Sequence, residues 1–340
     1  MTLFIGPVGK TGGPAIKNEI TLRYLFGSEI PNIVNTLSRS AVNQVLSAMR
    51  FALSREQQAI IAVSSGGRKV LLPMALKKAD RYTDFCYSVI CIGGTVAEEA
   101  WDDLKCAESL RRASLVAVET QGVANKLKAL GVDNIHVMPN FVEDIHAMHP
   151  RVSFDETTMR FVFLSSVRNK KGISTMIDAF RVALSEGANA LLDIYGPIRP
   201  DFDEALLDGL NDAESPIRYR GPVSHDDVSD VLRGYHCFIF PSEYETEGFP
   251  AVVAEAMACG LPIIASDIAY NSEIVRDGTN GIVFPAGDVQ ALSDAVVRIS
   301  RNRGFAQKVS DNNVSDASRY DAGTVVGLYA DALRDRGWTL

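Results

Sequence analysis

The chain has 340 residues, 46% hydrophobic and 22% charged, a balance that fits a globular protein of about two domains. Its formal net charge of −8 resides in the second part: residues 1–150 carry 16 Lys+Arg against 14 Asp+Glu, and the remainder 18 against 28. That acidic balance argues against a nucleic-acid partner, and no apolar run approaches the ~20 residues of a membrane-spanning helix. Cys86, Cys91, Cys106, Cys237 and Cys259 are odd in number and lack metal-ligand spacing, so they read as reduced core thiols and no metal is expected. The N-terminal MTLFIGPVGKTGG lacks the positively charged start of a signal peptide, and a cytoplasmic location is the expectation.

In chain order, residues 2–5 read as a buried strand, followed by a glycine loop at 6–13 and a helix over 14–26 with Pro14 at its first position. The Gly9-Lys10-Thr11 triplet is not a P-loop, because G-x4-G-K-[ST] requires glycine at position 4, where Phe4 stands. Strands follow at 30–34, 59–63, 87–92, 115–118 and 134–138, alternating with helical stretches. That alternation is the signature of a parallel sheet covered on both faces. The basic-apolar run 68–81 has two readings: a core helix with solvated basic ends, the simpler account since Pro73 interrupts the run, or a helix resting on a membrane surface. Residues 144–158, polar and containing Pro150, are the linker candidate.

Beyond the linker, strands are expected at 161–165, 191–195, 217–223 and 237–240, with helices over 174–184 and 226–234. Amphipathic helices are expected over 289–302 and 324–334. Residues 238–285 then run strand, loop, helix, strand, loop, short helix, strand. At their centre Glu247-Gly248-Phe249-Pro250 leads into a helix carrying Glu255. A helix start offers unpaired N–H groups and the positive end of a dipole, which suit a phosphate, while carboxylates beside it accept from hydroxyls. The pairing points to a sugar nucleotide.

Glu247-x7-Glu255, set within EGFP, EAMACGLPIIASD and EIVRDGTNGIVF, resembles the GT4-type retaining glycosyltransferases of the GT-B fold (glycosyl transferases group 1). The resemblance implies an α/β architecture of two Rossmann-like parallel-sheet domains facing each other across a cleft. On this reading residues 1–150 form the acceptor-side domain and 151–317 the nucleotide-sugar domain, and the last helix, about 318–340, packs back onto the first. It further implies that Glu247 contacts donor-sugar hydroxyls near the reacting carbon and that Glu255 binds the ribose. The backbone of Gly248, Phe249, Pro250 and Ala251 would hold phosphate or sugar oxygens, with Phe249 either beside the sugar or in the core. Lys171 before Gly172 matches the family's lysine. An ungapped alignment puts Ser166 at the family's arginine position, so Arg168 is the candidate to supply that guanidinium. Gly12 and Gly13 resemble the family's first-strand glycine loop near the donor phosphates. Gly196 and Gly221 end strands near the expected base site.

The resulting expectation is a transferase moving a sugar from a UDP- or GDP-sugar to a saccharide or lipid-linked saccharide in cell-surface polysaccharide assembly. It needs no cofactor or metal, and peripheral contact with the inner face of a membrane accompanies it. One alternative is a GT-B UDP-sugar epimerase, which the basic motif and EGFP loop fit less well. The other is a catalytically silent nucleotide-sugar-binding or scaffold protein, which the displaced arginine and the absent first-domain histidine allow: His136, His146, His149, His225 and His236 all lie at or after that domain's end. The base, sugar, acceptor and oligomeric state leave no trace in the residues.

Overall fold

The computed structural model describes residues 2–29, 31–38, 40–145, 148, 152–208, 210, 212 and 214–340. His146, His149, Pro150 and Ile30, the first residue of an expected strand, lie outside the described residues. Two compact units emerge, one of Met1–Phe141 with Ala322–Leu340 and the other of Val142–Asp321.

Unit 1 contains strands β1 (Thr2–Gly6), β2 (Asn32–Asn35), β3 (Gln58–Val63), β4 (Cys86–Cys91), β5 (Leu115–Val118) and β6 (Ile135–Val137). Between them lie helices α1 (Gly13–Phe26), α2 (Ala41–Leu53), α3 (Ser65–Arg81), α4 (Val96–Asp102), α5 (Leu104–Arg112) and α6 (Gln121–Ala129). The strands form one parallel sheet in the order β2-β1-β3-β4-β5-β6. Strands buried on both faces become continuous apolar runs, as QAIIAV of β3 and LVAV of β5 show.

The 68–81 run is a core helix. Within α3, Leu71, Leu72, Ala75 and Ala79 are buried, and the helix continues through Pro73. Two of its cations are internal as well. Arg68 donates to both carboxylate oxygens of Glu99 at 2.8 Å and to the carbonyls of Val63 and Ile92 at 3.0 Å, clamping the ends of β3 and β4. Lys78 donates to the Ser54 carbonyl at 2.7 Å and lies over the Phe85 ring.

Unit 2 contains β7 (Met159–Leu164), β8 (Ala190–Tyr195), β9 (Ile217–Gly221), β10 (Cys237–Phe240), β11 (Ile263–Ser266) and β12 (Gly281–Phe284). Its helices are α7 (Ile173–Ser185), α8 (Val228–Leu232), α9 (Ala251–Ala258), α10 (Asn271–Ile274), α11 (Val289–Arg301) and α12 (Arg303–Asp316). Helix α12 carries no strong apolar period and was not anticipated. All six strands are parallel, in the order β12-β11-β10-β7-β8-β9. The chain starts in the middle, winds outward through β8 and β9, then returns to wind the other way from β10. The order therefore reverses between β7 and β10, and loops at the carboxyl ends of those two strands splay apart to leave a crevice.

Unit 2 begins at Val142 rather than at residue 151. The Val142 amide donates to the Tyr320 carbonyl at 2.8 Å, and Val142 bridges Asp321 in parallel, which ties it to unit 2's own core. Phe154, within the expected linker, is also core. The final helix α13 (Ala322–Arg334) belongs to unit 1, where Tyr329 is fully buried and shares a 2.8 Å hydrogen bond with Ser88 of β4.

Two glycines mark where backbone meets backbone in unit 2. Gly172 has φ +66°, and a Cβ there would lie 2.0 Å from the Pro241 carbonyl oxygen; at Gly196, φ +139°, it would lie 1.7 Å from the Ser165 carbonyl oxygen. Contacts that short force the backbone to move. Gly172→Ala should therefore destabilise the chain by at least about 2 kcal/mol, read as a lowered midpoint in urea at unchanged slope.

Candidate active site

Two loops flank the reversal in strand order of unit 2. The loop after β7 carries Arg168, Lys170 and Lys171, the last two within a short 3-10 turn at Asn169–Lys171. The loop after β10 carries Ser242, Glu243, Tyr244 and Glu247. Gly172 presses the first loop against Pro241 of the second, and the Glu243 amide donates to the Lys170 carbonyl at 2.9 Å. Thr175 Oγ1 donates to Glu243 Oε1 at 2.7 Å, so Glu243 is held as a structural bracket.

This joining brings Lys171 and Glu247 together across 76 residues of sequence. Lys171 Nζ lies 2.5 Å from Glu247 Oε2, which also accepts from Ser242 Oγ at 2.9 Å. The ammonium lies 5.0 Å from the Phe240 ring centroid. Both side chains are largely buried, where a charge pair interacts more strongly than at an open surface. Arg168, Lys170, Lys171, Tyr244 and Glu247 line a cavity of about 280 Å³. Three cations face one carboxylate there, so the lining is electropositive. Arg168 Nε also pairs with Asp201 at 3.1 Å, and Lys170 lies over the Tyr244 ring.

Glu255 sits on α9 with its side chain 14% exposed, and Nδ1 of His225 lies 3.9 Å from its Oε1. Burial raises its carboxyl from the ordinary 4.5 to about 7. Glu255 and Glu247 thus differ in kind: one carboxylate faces a cation at 2.5 Å, and the other is desolvated beside an imidazole.

The remaining expected positions divide. Pro250 caps α9 and has no N–H to offer a ligand, so of the four positions 248–251 only three carry amides. Phe249 is a core residue, 5% exposed, its ring 5.0 Å from that of Tyr320. Gly196 is glycine because the Ser165 carbonyl excludes a side chain, and its amide donates to the Gly221 carbonyl at 2.9 Å. Gly221, φ +84°, has open space where a side chain would stand. Gly12, φ +86°, caps α1 and lines a different cavity, of about 560 Å³, within unit 1, while the adjoining Gly13 is exposed. The sequence reading missed Ser242, Tyr244 and His225. Only proximity to Glu247 could have flagged the first two, and nothing local flags His225. Among the described residues no group of three His, Cys, Asp or Glu is placed to hold a metal.

Two measurements probe this geometry. Lys171→Met and Glu247→Gln should each cost about 2 kcal/mol of stability, and the double variant clearly less than their sum, since each single change leaves one charge buried without its partner. For Glu255 the folded value lies above the unfolded one, so the folded chain retains a proton that the unfolded chain has lost. Stability therefore falls as pH rises from 4.5 to about 7. Glu255→Gln should raise stability by about 2 kcal/mol above that window and leave it nearly unchanged below it, measured by thermal melts across pH.

Known proteins resemble this chain in sequence over part of its length and in fold over nearly all of it. Residues 158–302 match the family model described as glycosyl transferases group 1. The amylovoran biosynthesis glycosyltransferase AmsK of Erwinia amylovora is 28% identical over 149 residues, 42% of this chain and 36% of the relative. The phosphatidyl-myo-inositol mannosyltransferase of Mycobacterium leprae is 30% identical over 199 residues, 58% and 52% of the two chains. The chain thus spans about half or less of these curated relatives. Among solved structures, Anabaena HepE in complex with UDP superposes with a TM-score of 0.77 at 18% identity, covering 98% of this chain and 99% of that one. The lipopolysaccharide outer core galactosyltransferase WaaB gives 0.73 at 17% identity, covering 99% and 100%. Two six-stranded parallel sheets, the group 1 match and these neighbours lead to one conclusion: unit 2 is a group 1 glycosyl transferase domain, and the chain has the GT-B fold.

Proposed function

We propose that this chain is a retaining glycosyltransferase that moves a sugar from a UDP- or GDP-sugar to a saccharide or lipid-linked saccharide in polysaccharide assembly. The observation that carries the reading is the Lys171–Glu247 pair at the strand-order reversal, within a cavity that holds two further cations. Its support from known proteins is of two kinds. HepE structures contain UDP and UDP-glucose, and a Corynebacterium glutamicum relative is named as GDP-mannose-dependent.

The chemistry follows from charge. As the bond between the anomeric carbon and the β-phosphate oxygen breaks, negative charge develops on the diphosphate. Lys171, with Arg168 and Lys170, is placed to stabilise it without a metal. Glu247 then has two tasks: it fixes the Lys171 ammonium and offers its second oxygen to a donor-sugar hydroxyl. The acceptor hydroxyl attacks the face the diphosphate is leaving, and its proton passes to a departing phosphate oxygen. No separate enzyme base is required, which removes the difficulty of the missing first-domain histidine. Glu255 accepts from the ribose hydroxyls as a carboxylate. The cavity of unit 1, walled by Gly12, Leu37, Ala48, Val63 and Leu71 among others, is assigned to the acceptor.

A panel of UDP- and GDP-sugars, followed by nucleotide-diphosphate release, tests the reading. Glu247→Ala and Lys171→Met should each lower turnover by about 10²–10³-fold. Release undiminished by Glu247→Ala, or nucleotide binding without turnover over a broad set of donors and acceptors, overturns it. Nucleotide affinity should weaken as pH falls through about 7, where Glu255 gains a proton, and this dependence should vanish in Glu255→Gln.

A further inference from the structure

Glu247 is held from the neighbouring strand as well as by Lys171. Two hydrogen bonds converge on its Oε2, from Lys171 Nζ at 2.5 Å and from Ser242 Oγ at 2.9 Å. Ser242, two residues beyond β10, is fixed in turn by Ser266, the last residue of β11, whose Oγ donates to the Ser242 carbonyl at 2.5 Å. Asn271 opens α10 and reaches back: its Nδ2 donates to the Ser266 carbonyl at 3.2 Å and to Ser266 Oγ at 3.4 Å. Ser242 and Ser266 are fully buried, and Asn271 is 2% exposed. The β10–β11 ladder ends at Phe240 and Ala265, so these bonds lie beyond it, where the loop toward Glu247 begins.

The protons give this set a direction. A serine hydroxyl has one proton to donate. Ser266 commits its proton to the Ser242 carbonyl, which leaves its oxygen to accept from Asn271. Ser242 commits its own to Glu247 and accepts from the Tyr244 amide at 3.4 Å. The set therefore runs one way, from the Asn271 amide through Ser266 and Ser242 to the carboxylate. Buried polar groups of this kind have no water to replace a lost partner, so each member depends on the next. A carboxylate held by a lysine alone can pivot about that one contact. Two partners on Oε2, together with the side chain's own attachment, fix the carboxylate plane and hence the direction of Oε1.

We infer that Ser266 and Asn271 are positioning residues: acting through Ser242, they set the direction in which Glu247 Oε1 meets the donor sugar. The inference rests on the reading of Glu247 as the group that contacts a donor-sugar hydroxyl. It gives β11 and the start of α10 a part in handling the sugar, although neither residue touches it. The nucleoside diphosphate, assigned to Arg168, Lys170 and Lys171, does not depend on the direction of Oε1, so the two halves of the donor should respond differently to loss of these residues.

Two measurements on the full chain test the inference: nucleotide-diphosphate release from the donor that the wild type turns over, and thermal shifts with UDP and GDP alone. Ser266→Ala should lower kcat about tenfold while the shift given by the nucleotide keeps its wild-type size. Asn271→Ala, which removes longer bonds, should lower kcat roughly threefold and serves as the second variant if Ser266→Ala folds poorly. In a Glu247→Ala background neither change should reduce turnover further, because the carboxylate they position is gone, whereas a general packing defect would multiply with it. Three results overturn the inference alone: wild-type kcat in both variants while Glu247→Ala is impaired, a full further loss in the Glu247→Ala background, or a nucleotide shift that falls in step with kcat. Release undiminished by Glu247→Ala overturns the donor reading, and the inference with it.

Discussion

The contact of Gly172 with the Pro241 carbonyl is the constraint on which the unit 2 site depends. With φ +66° and no room for a Cβ, this glycine lets the loop after β7 lie directly on the loop after β10. Lys171, one residue earlier, is thereby held where its ammonium reaches Glu247, and Thr175 braces Glu243 from the next helix. A buried lysine and a buried glutamate are each costly alone. Held together they form a preorganised centre of fixed charge, on which the proposed diphosphate site rests. Fixed dipoles and charges stabilise a developing anion because they need not reorganise as it forms.

The same polar chemistry has different purposes in the two units. In unit 1, Arg68 with Glu99, and Lys17 with Glu119 at 2.8 Å, are buried pairs that brace strand ends and helices. Their donors are satisfied by carboxylates and carbonyls of the fold itself. In unit 2, the pair at the strand-order reversal borders a cavity with two additional cations, so part of its charge is available to a ligand. The difference is one of position: loops splay apart where successive strands are laid down on opposite sides of the first. Asp193 shows the structural use again, accepting from Arg218 at 2.8 Å and from the Tyr235 hydroxyl at 2.7 Å beneath the strand ends.

Helix α2 and helix α3 illustrate how composition can mislead. RKVLLPMALKKADR mixes basic and apolar residues as an interfacial helix would, yet its Leu71, Leu72 and Ala75 are core. AVNQVLSAMRFAL has apolar residues spaced like those of any amphipathic helix. Only packing reveals that Phe51 is buried against Phe85 and Lys78 while Val45 and Met49 are exposed. Hydrophobic periodicity states that a helix has an apolar face; it does not state what covers that face.

Much of the chain was legible before any coordinates. Continuous apolar strands such as FIF and IIAS, separated by helical periods, determine a parallel α/β architecture, because only strands covered on both faces lose their polar alternation. The EGFP loop, the seven-residue spacing to Glu255 and Lys171-Gly172 carried the family resemblance with local patterns alone. Tertiary structure decided what depends on residues distant in sequence. It moved the unit boundary to Val142 through a hydrogen bond to Tyr320, and it placed Phe249 in the core against Tyr320. It set Ser242 on Glu247 and His225 near Glu255, and it raised the Glu255 carboxyl by burial. Burial and partnership are properties of what the rest of the chain does around a residue, and no window of sequence contains them.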